Sequence, residues 1–245
     1  MTIRTLPILA LAPLLLAMAP EQEAGPAAAS IAPYRYDDLL WENGLVAYRI
    51  YGEALEAAEP PSGSGIDAWG KRTTEPFMAR TLRATGVNYH DDHGDGLDFY
   101  SVGTSRGAGG LGIWHDNKLW VSRNYRDAEI LSAGPEAAVF RVRYAPWPVD
   151  VVRQVSETRD FTLPAGSRYT RMSSTIDATG EGPLTVAIGI ARRPAGTAEA
   201  AVTTDAQAGM MAVWGPDTEH GAMGIVVRAD PARIVGFTKD AENFL

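Results

Sequence analysis

Residues 139–144 read VFRVRY, and this stretch decides the fold class. Alternation puts Phe140, Val142 and Tyr144 on one face and Arg141 and Arg143 on the other. A period of two suits a half-buried strand and no helix. Working outward, LTVAIGIA (184–191) gathers Leu184, Val186, Ile188 and Ile190 on one face with small residues opposite. LVAYRIYG (45–52) is rich in the β-branched and aromatic residues that pack well on a pleated surface. MMAVW (210–214) and MGIVVRA (223–229) are further strand candidates. GIWHDNKLWVS predicts a hairpin turning at Asp116–Asn117, and LPAGS and ATGEGP punctuate later strands. Helical periodicity is weak and found chiefly near Asp67–Ala84, and no repeat is visible. Many strands with Gly/Pro turns predict an all-β, antiparallel β-sandwich.

The chain has 245 residues, enough for one sizeable domain, and 45% of them are hydrophobic. A net charge of −8 argues against a broad basic surface for nucleic acid. The N-terminus pairs the cationic MTIRT with the apolar LPILALAPLLLAMA, which has the length of a signal peptide and is short for a membrane span. Residues 1–29 therefore read as signal peptide and linker, with a cut after Ala19 or near Ala29. The expectation is an exported protein, periplasmic or secreted, free of the membrane once the leader is removed. There is no cysteine, so the exported domain must rest on its core. The domain is expected over residues 34–245. Ending on the apolar Phe244–Leu245 suggests a sheet edge left unpaired and a chain that is part of a longer protein.

Chemistry concentrates in residues 86–112, GVNYHDDHGDGLDFYSVGTSRGAGGLG. GAGGLG (107–112) matches a dinucleotide fingerprint in form, but the residues after it are strand-like where a helix is required. DDHGDG has an EF-hand's opening spacing, yet His93 occupies a ligand position and Val102 stands where the closing Glu belongs. His90 and His93 with an Asp could bind a divalent metal, although no cofactor is demanded. Without a GxSxG elbow or a cysteine nucleophile, acyl transfer is poorly supported.

Acid–base chemistry remains. Histidine titrates near neutrality, tyrosine can act as partner acid, and arginine can hold a carboxylate in bidentate fashion. The candidate catalytic residues are Tyr89, His90, His93, Tyr100 and Arg106. SGIDAWGKR, just upstream, adds Asp67, Trp69, Lys71 and Arg72. Trp41 and Trp69 could stack on sugars, but Trp41, Trp69, Trp114 and Trp120 each suit a core better than a ligand platform. Tyr48 and Tyr51 read as sheet packing, Arg141 and Arg143 as a solvated strand face, and His115 and His220 as surface.

The segments WENGLVAYRIYG, SGIDAWGKR, YHDDHGDGLDFYSVGTSRGAGGLGIW and KLWVSRNY, in that order, resemble the DUF4861 proteins, a group encoded with bacterial polysaccharide-degradation genes. The resemblance runs from about Tyr34 to the end. It implies a β-supersandwich similar to galactose mutarotase, and kinship with an oligosaccharide dehydratase that acts on ulvan fragments. Carried onto this chain, His90 or His93 would be the base and Tyr89 or Tyr100 the acid. Arg106 and Arg72 would clamp a carboxylate or sulfate, and Asp67, Lys71, Glu42 and Asn43 would hold the sugar. The expected function is β-elimination on uronate-containing oligosaccharides. The alternatives are a non-catalytic carbohydrate-binding sandwich, or a mutarotase-like enzyme or glycosidase, the last needing two carboxylates across one bond.

Overall fold

The computed structural model describes residues 25–194, 198–217 and 219–245. The apolar leader expected at residues 1–24 lies outside them. Four antiparallel sheets make up the structure. The first runs in chain order through β1 (Ala28–Ala32), β2 (Asp38–Glu42), β3 (Ala47–Ile50), β4 (Asp67–Lys71) and β5 (Gly96–Leu97). The second is a meander of β8 (Asp127–Ala133), β9 (Ala137–Pro148), β10 (Gln154–Pro164) and β11 (Arg171–Ala178). A third has the order β16 (Asn243–Phe244), β12 (Thr185–Ala191), β6 (Ala108–His115), β7 (Lys118–Trp120). The last joins β13 (Ala201–Asp205), β14 (Met210–Asp217) and β15 (Gly221–Arg228). The protein is all-β and antiparallel, as the alternation predicts. No helix among the described residues is long and apolar enough to cross a membrane.

VFRVRY lies in β9 with Phe140, Val142 and Tyr144 buried. Arg141 and Arg143 face outward and pair with Asp160 and Asp127 on neighbouring strands. The core forms where this face meets the inner face of the first sheet. The Trp41 ring lies 5.1 Å from Phe140 and 5.4 Å from Phe161, which stack on each other at 4.6 Å. Each such side chain contributes about 1.5–3 kcal/mol by leaving water. The Asp116–Asn117 hairpin is present, with φ of 50° and 56°, the left-handed pair that a tight two-residue turn demands.

Three expectations are corrected. The weak helical periodicity near Asp67–Ala84 holds for only part of that span. Asp67, Trp69 and Lys71 alternate in β4 against β3, and only α2 (Met78–Arg83) is helical, starting after Pro76. The expected linker ends early, because Ala28–Ala32 pairs with β2 and Ala29 is buried. A cut near Ala29 would split that strand. In β12 only the C-terminal half keeps to the core: Ile190 is buried, whereas Val186 is 45% exposed beside an open groove.

The outer face of the first sheet is covered as well. Leu40, Ala47 and Trp69 pack under Phe77 and Met78 at the start of α2. Six residues cannot hold a helix alone. Glu42 anchors it, its Oε1 accepting from the backbone N–H groups of Phe77 (2.9 Å) and Met78 (3.0 Å). A short α1 (Leu55–Ala58) lies between β3 and β4. The candidate site sits on this outer face.

Candidate functional site

Register builds the site. β3 pairs with β4 so that Arg49 lies opposite Asp67, while Leu40 of β2 lies opposite Arg49. Alternation sends Tyr48 and Ile50 inward and leaves Arg49 outward. Asp98 arrives from the end of β5, which lies tight against β4. A Cβ at Gly96 would meet the Gly70 carbonyl oxygen at 2.2 Å, and its φ is +143°, so glycine is required there. Asp38 enters from the start of β2.

These residues converge on one buried guanidinium. Arg49 Nε donates to Asp67 Oδ2 at 2.9 Å and Nη2 to Asp98 Oδ2 at 2.9 Å, with Asp38 Oδ2 3.8 Å from Nη1. Tyr51 donates to Asp67 Oδ2 at 3.1 Å, and the Trp69 indole donates to the same oxygen at 3.3 Å. The rings of Tyr51, Trp69 and Tyr89 lie 5.1–5.4 Å from the guanidinium carbon. Three carboxyl groups facing one cation leave surplus negative charge. Both oxygens of Asp38 and Oδ1 of Asp67 are buried without a hydrogen-bond partner.

This crowding sets the protonation of the cluster. Burial pushes Asp38 up to about 7 against the pull of Arg49 and Arg35. Burial and the Asp67 charge hold Asp98 well above the ordinary carboxylate range. Burial works against the Arg49 charge, but Tyr51, Asp67 and Asp98 more than offset it and raise its pKa.

At the mouth, Tyr89 stacks on Trp69 (5.5 Å, 9°) and its hydroxyl accepts from Arg35 Nη2 at 2.9 Å. Arg35 is in turn held by both oxygens of Glu59, at 2.5 and 2.6 Å. His90 is next in the chain, its side chain 55% exposed and its Nδ1 2.8 Å from the Asp98 carbonyl oxygen. A carbonyl only accepts, so Nδ1 carries the proton and Nε2 presents a free lone pair.

The structure thus brings together Asp67, Trp69, Tyr89 and His90. The other sequence candidates lie elsewhere. His93 is exposed, with Nε2 3.0 Å from the Asn88 carbonyl. Among the described residues no group of three or more His, Asp or Glu side chains is placed to hold a metal. The Tyr100 hydroxyl is buried and donates to the Gly107 carbonyl at 2.9 Å, and burial raises its pKa out of useful range. Arg106 is 1% exposed in the interior, where Nη1 donates to Ser64 Oγ at 2.9 Å. Burial and nearby Arg159 lower it to about 10. Lys71 is bound to Glu42 at 2.8 Å and serves the α2 anchor. Asn43 is spent on a turn, accepting from the Leu45 and Val46 N–H groups and donating to Pro164 and Ser167 carbonyls. Arg72 pairs with Asp92 at the surface. GAGGLG runs into β6, as a strand rather than a dinucleotide loop.

Sequence reasoning missed Arg49, Asp38, Arg35 and Glu59 as site residues. One signal was available: an arginine between Tyr48 and Ile50 in an otherwise apolar strand marks a second, polar face.

Residues 17–244 match the family described as Domain of unknown function (DUF4861). The chain belongs to this family. It is 35% identical over 159 residues to the uncharacterized protein P7 of Formosa agariphila, covering 61% of this chain and 40% of that protein. The match therefore spans less than half of the relative's length. No solved structure matches the chain.

Proposed function

We propose that this DUF4861 protein is an exported, carbohydrate-active enzyme that performs β-elimination, as a dehydratase or lyase, on uronate-containing oligosaccharides. One observation carries the reading. A half-exposed His90, its Nε2 free, stands beside a Tyr89 hydroxyl fixed by Arg35, at the mouth of a buried Arg49–aspartate cluster. His90 Nε2 takes the proton from the carbon bearing the carboxylate. The electrons of that C–H bond form a double bond to the next carbon, whose C–O bond breaks. Tyr89 accepts a hydrogen bond from Arg35, so its own proton is free to pass to the departing oxygen, which leaves as water or as a sugar hydroxyl. Arg35, itself held by Glu59, fixes the Tyr89 hydroxyl in the position from which it delivers that proton.

Glycosidase chemistry fits less well, because Asp67 and Asp98 both bind the Arg49 guanidinium and do not face each other across an open cleft. The test mixes the protein with ulvan, glucuronan and pectin oligosaccharides and tracks the ultraviolet absorbance of an unsaturated uronate. His90→Ala should cut the rate by roughly 10²–10⁴-fold, the usual worth of a general base, without changing the thermal melt. Flat absorbance with retained sugar binding would leave a binding module. An undiminished His90→Ala rate would remove His90 from the chemistry.

A further inference from the structure

The opposite face of the first sheet carries a second feature. A cavity of about 270 Å³ lies between that inner face, β6, β12 and β15. Its floor is apolar, with Ile66, Ile188 and Ile225 among its lining. One wall is the Trp41–Tyr48 stack, with ring centroids 5.4 Å apart at 27°. At the mouth are three exposed side chains, Arg168, Tyr169 and Arg228.

The polar groups here lack partners. Arg168 makes no hydrogen bond or ion pair among the described residues, and Arg228 has only the Ala208 carbonyl at 3.4 Å. Arg141 and Arg143, on the second sheet, are by contrast paired with Asp160 and Asp127. The Tyr48 hydroxyl also has no hydrogen-bond partner among the described residues. Burial raises it to about 12, so it stays a neutral donor. Stacking rings, a donor hydroxyl and two uncompensated guanidiniums around a small hollow are the complement of a ring with apolar faces, hydroxyl edges and one anionic group. The volume falls just below the range of about 300–1,000 Å³ usual for drug-sized ligands, which suits one ring rather than several.

We propose that this cavity binds a single anionic sugar unit, with its carboxylate or sulfate on Arg168 and Arg228 and its ring against Tyr48 and Tyr169. The site is distinct from the His90 mouth, because Tyr48 and Arg49 project to opposite faces of β3. The choice of a sugar among ring-shaped anions rests on the proposed function.

The test is calorimetric titration of the full chain carrying His90→Ala, so that ligand is not consumed. Three probes are used: a glucuronan oligosaccharide, its carboxyl-reduced neutral counterpart, and a sulfated ulvan oligosaccharide. Adding Arg168→Gln, and then Arg228→Gln, should weaken the anionic probes by about tenfold per step and leave the neutral one unchanged. A loss on glucuronan shows that a carboxylate suffices, whereas a loss confined to the sulfated ulvan probe identifies sulfate as the recognised group. Equal affinity in the double arginine variant, tight binding of the neutral probe, or no binding of any probe would overturn the proposal. The two readings fail separately. Binding that depends on Arg168 without elimination would sink the enzyme and keep this site. Elimination with binding indifferent to both arginines would do the reverse.

Discussion

Two buried guanidiniums separate structure from function in this molecule. Arg159 projects from β10 into the core and meets Glu157 two residues away on the same face, with Nε and Nη2 donating to its two oxygens at 2.7 and 2.9 Å. One cation meets one anion, and both carboxylate oxygens are used. Arg49, equally removed from water, faces three aspartates and leaves three of their oxygens without a hydrogen-bond partner. The Glu157–Arg159 pair balances its charge within the fold, and of its polar atoms only Arg159 Nη1 is buried without a hydrogen-bond partner. The Arg49 cluster holds more carboxyl groups than its cation can satisfy, and it lies beside the loop that carries Tyr89 and His90. Buried polar groups left unsatisfied cost stability, so a fold that keeps several together holds them for another purpose.

The largest expected effect tests that asymmetry directly. Arg49→Met strips the central cation from the cluster and should destabilise the protein by about 3–5 kcal/mol in chemical denaturation. The proposed elimination activity should vanish with it. A near-wild-type melt would show that the aspartates are already all protonated and that Arg49 neutralises nothing.

Asp38→Asn comes next, and its sign depends on pH. In the folded state Asp38 holds its proton up to about pH 7, against an ordinary value of 3.8, chiefly because it is buried. Between those values the folded protein binds more protons than the unfolded chain, so this group's contribution to stability falls as pH rises. The shift sets an upper bound of about 4 kcal/mol on that loss. Asp38→Asn should match the parent near the bottom of the window and exceed its stability above the top. Denaturation curves across the range read it out, and parallel curves for the two proteins would place the excess charge elsewhere.

The sequence carried one half of this contrast better than the other. VFRVRY announces the core strand, and the Asp116–Asn117 turn its hairpin, because alternation and turn chemistry are local. The loop holding Tyr89 and His90 is also legible from its crowding of titratable groups. What brings Asp38, Asp67 and Asp98 to Arg49 is register among β2, β3, β4 and β5, which no local pattern encodes. For the same reason Arg106 and Tyr100 look catalytic in the sequence yet lie in the interior, and Glu42 and Lys71 look like sugar ligands yet anchor α2. A polar residue announces its chemistry, but only the long-range pairing decides whether water and substrate can reach it.

Arg72 sharpens the comparison from outside. It is 54% exposed and pairs with Asp92 on the same surface. Exposed pairs contribute about 0–1 kcal/mol, so Arg72→Ala should barely move the melt. If Arg72 clamps a substrate carboxylate, KM would rise while kcat stayed put. No change in either would confine anion recognition to residues nearer the mouth.

The smallest expected effect is also the most demanding. Replacing Glu157 and Arg159 together by Leu and Met removes a balanced pair and leaves no charge stranded, so stability should stay near that of the parent or rise. The guanidinium carbon lies 5.4 Å from the Tyr144 ring and 5.8 Å from Phe161, and methionine can occupy that space with favourable sulfur–aromatic contacts. Arg106 is the neighbour most exposed to the change. Its charge is disfavoured by Arg159 more than it is favoured by Glu157, so deleting both eases the Arg106 charge and does not strand it. Elimination activity should persist, because the pair lies in the core and away from the Arg49 face. A loss above about 3 kcal/mol, the cost of breaking a buried pair, would mean that the Glu157–Arg159 unit is coupled to Arg106 and is not self-contained. Charge balance within the fold would then no longer distinguish it from the Arg49 cluster.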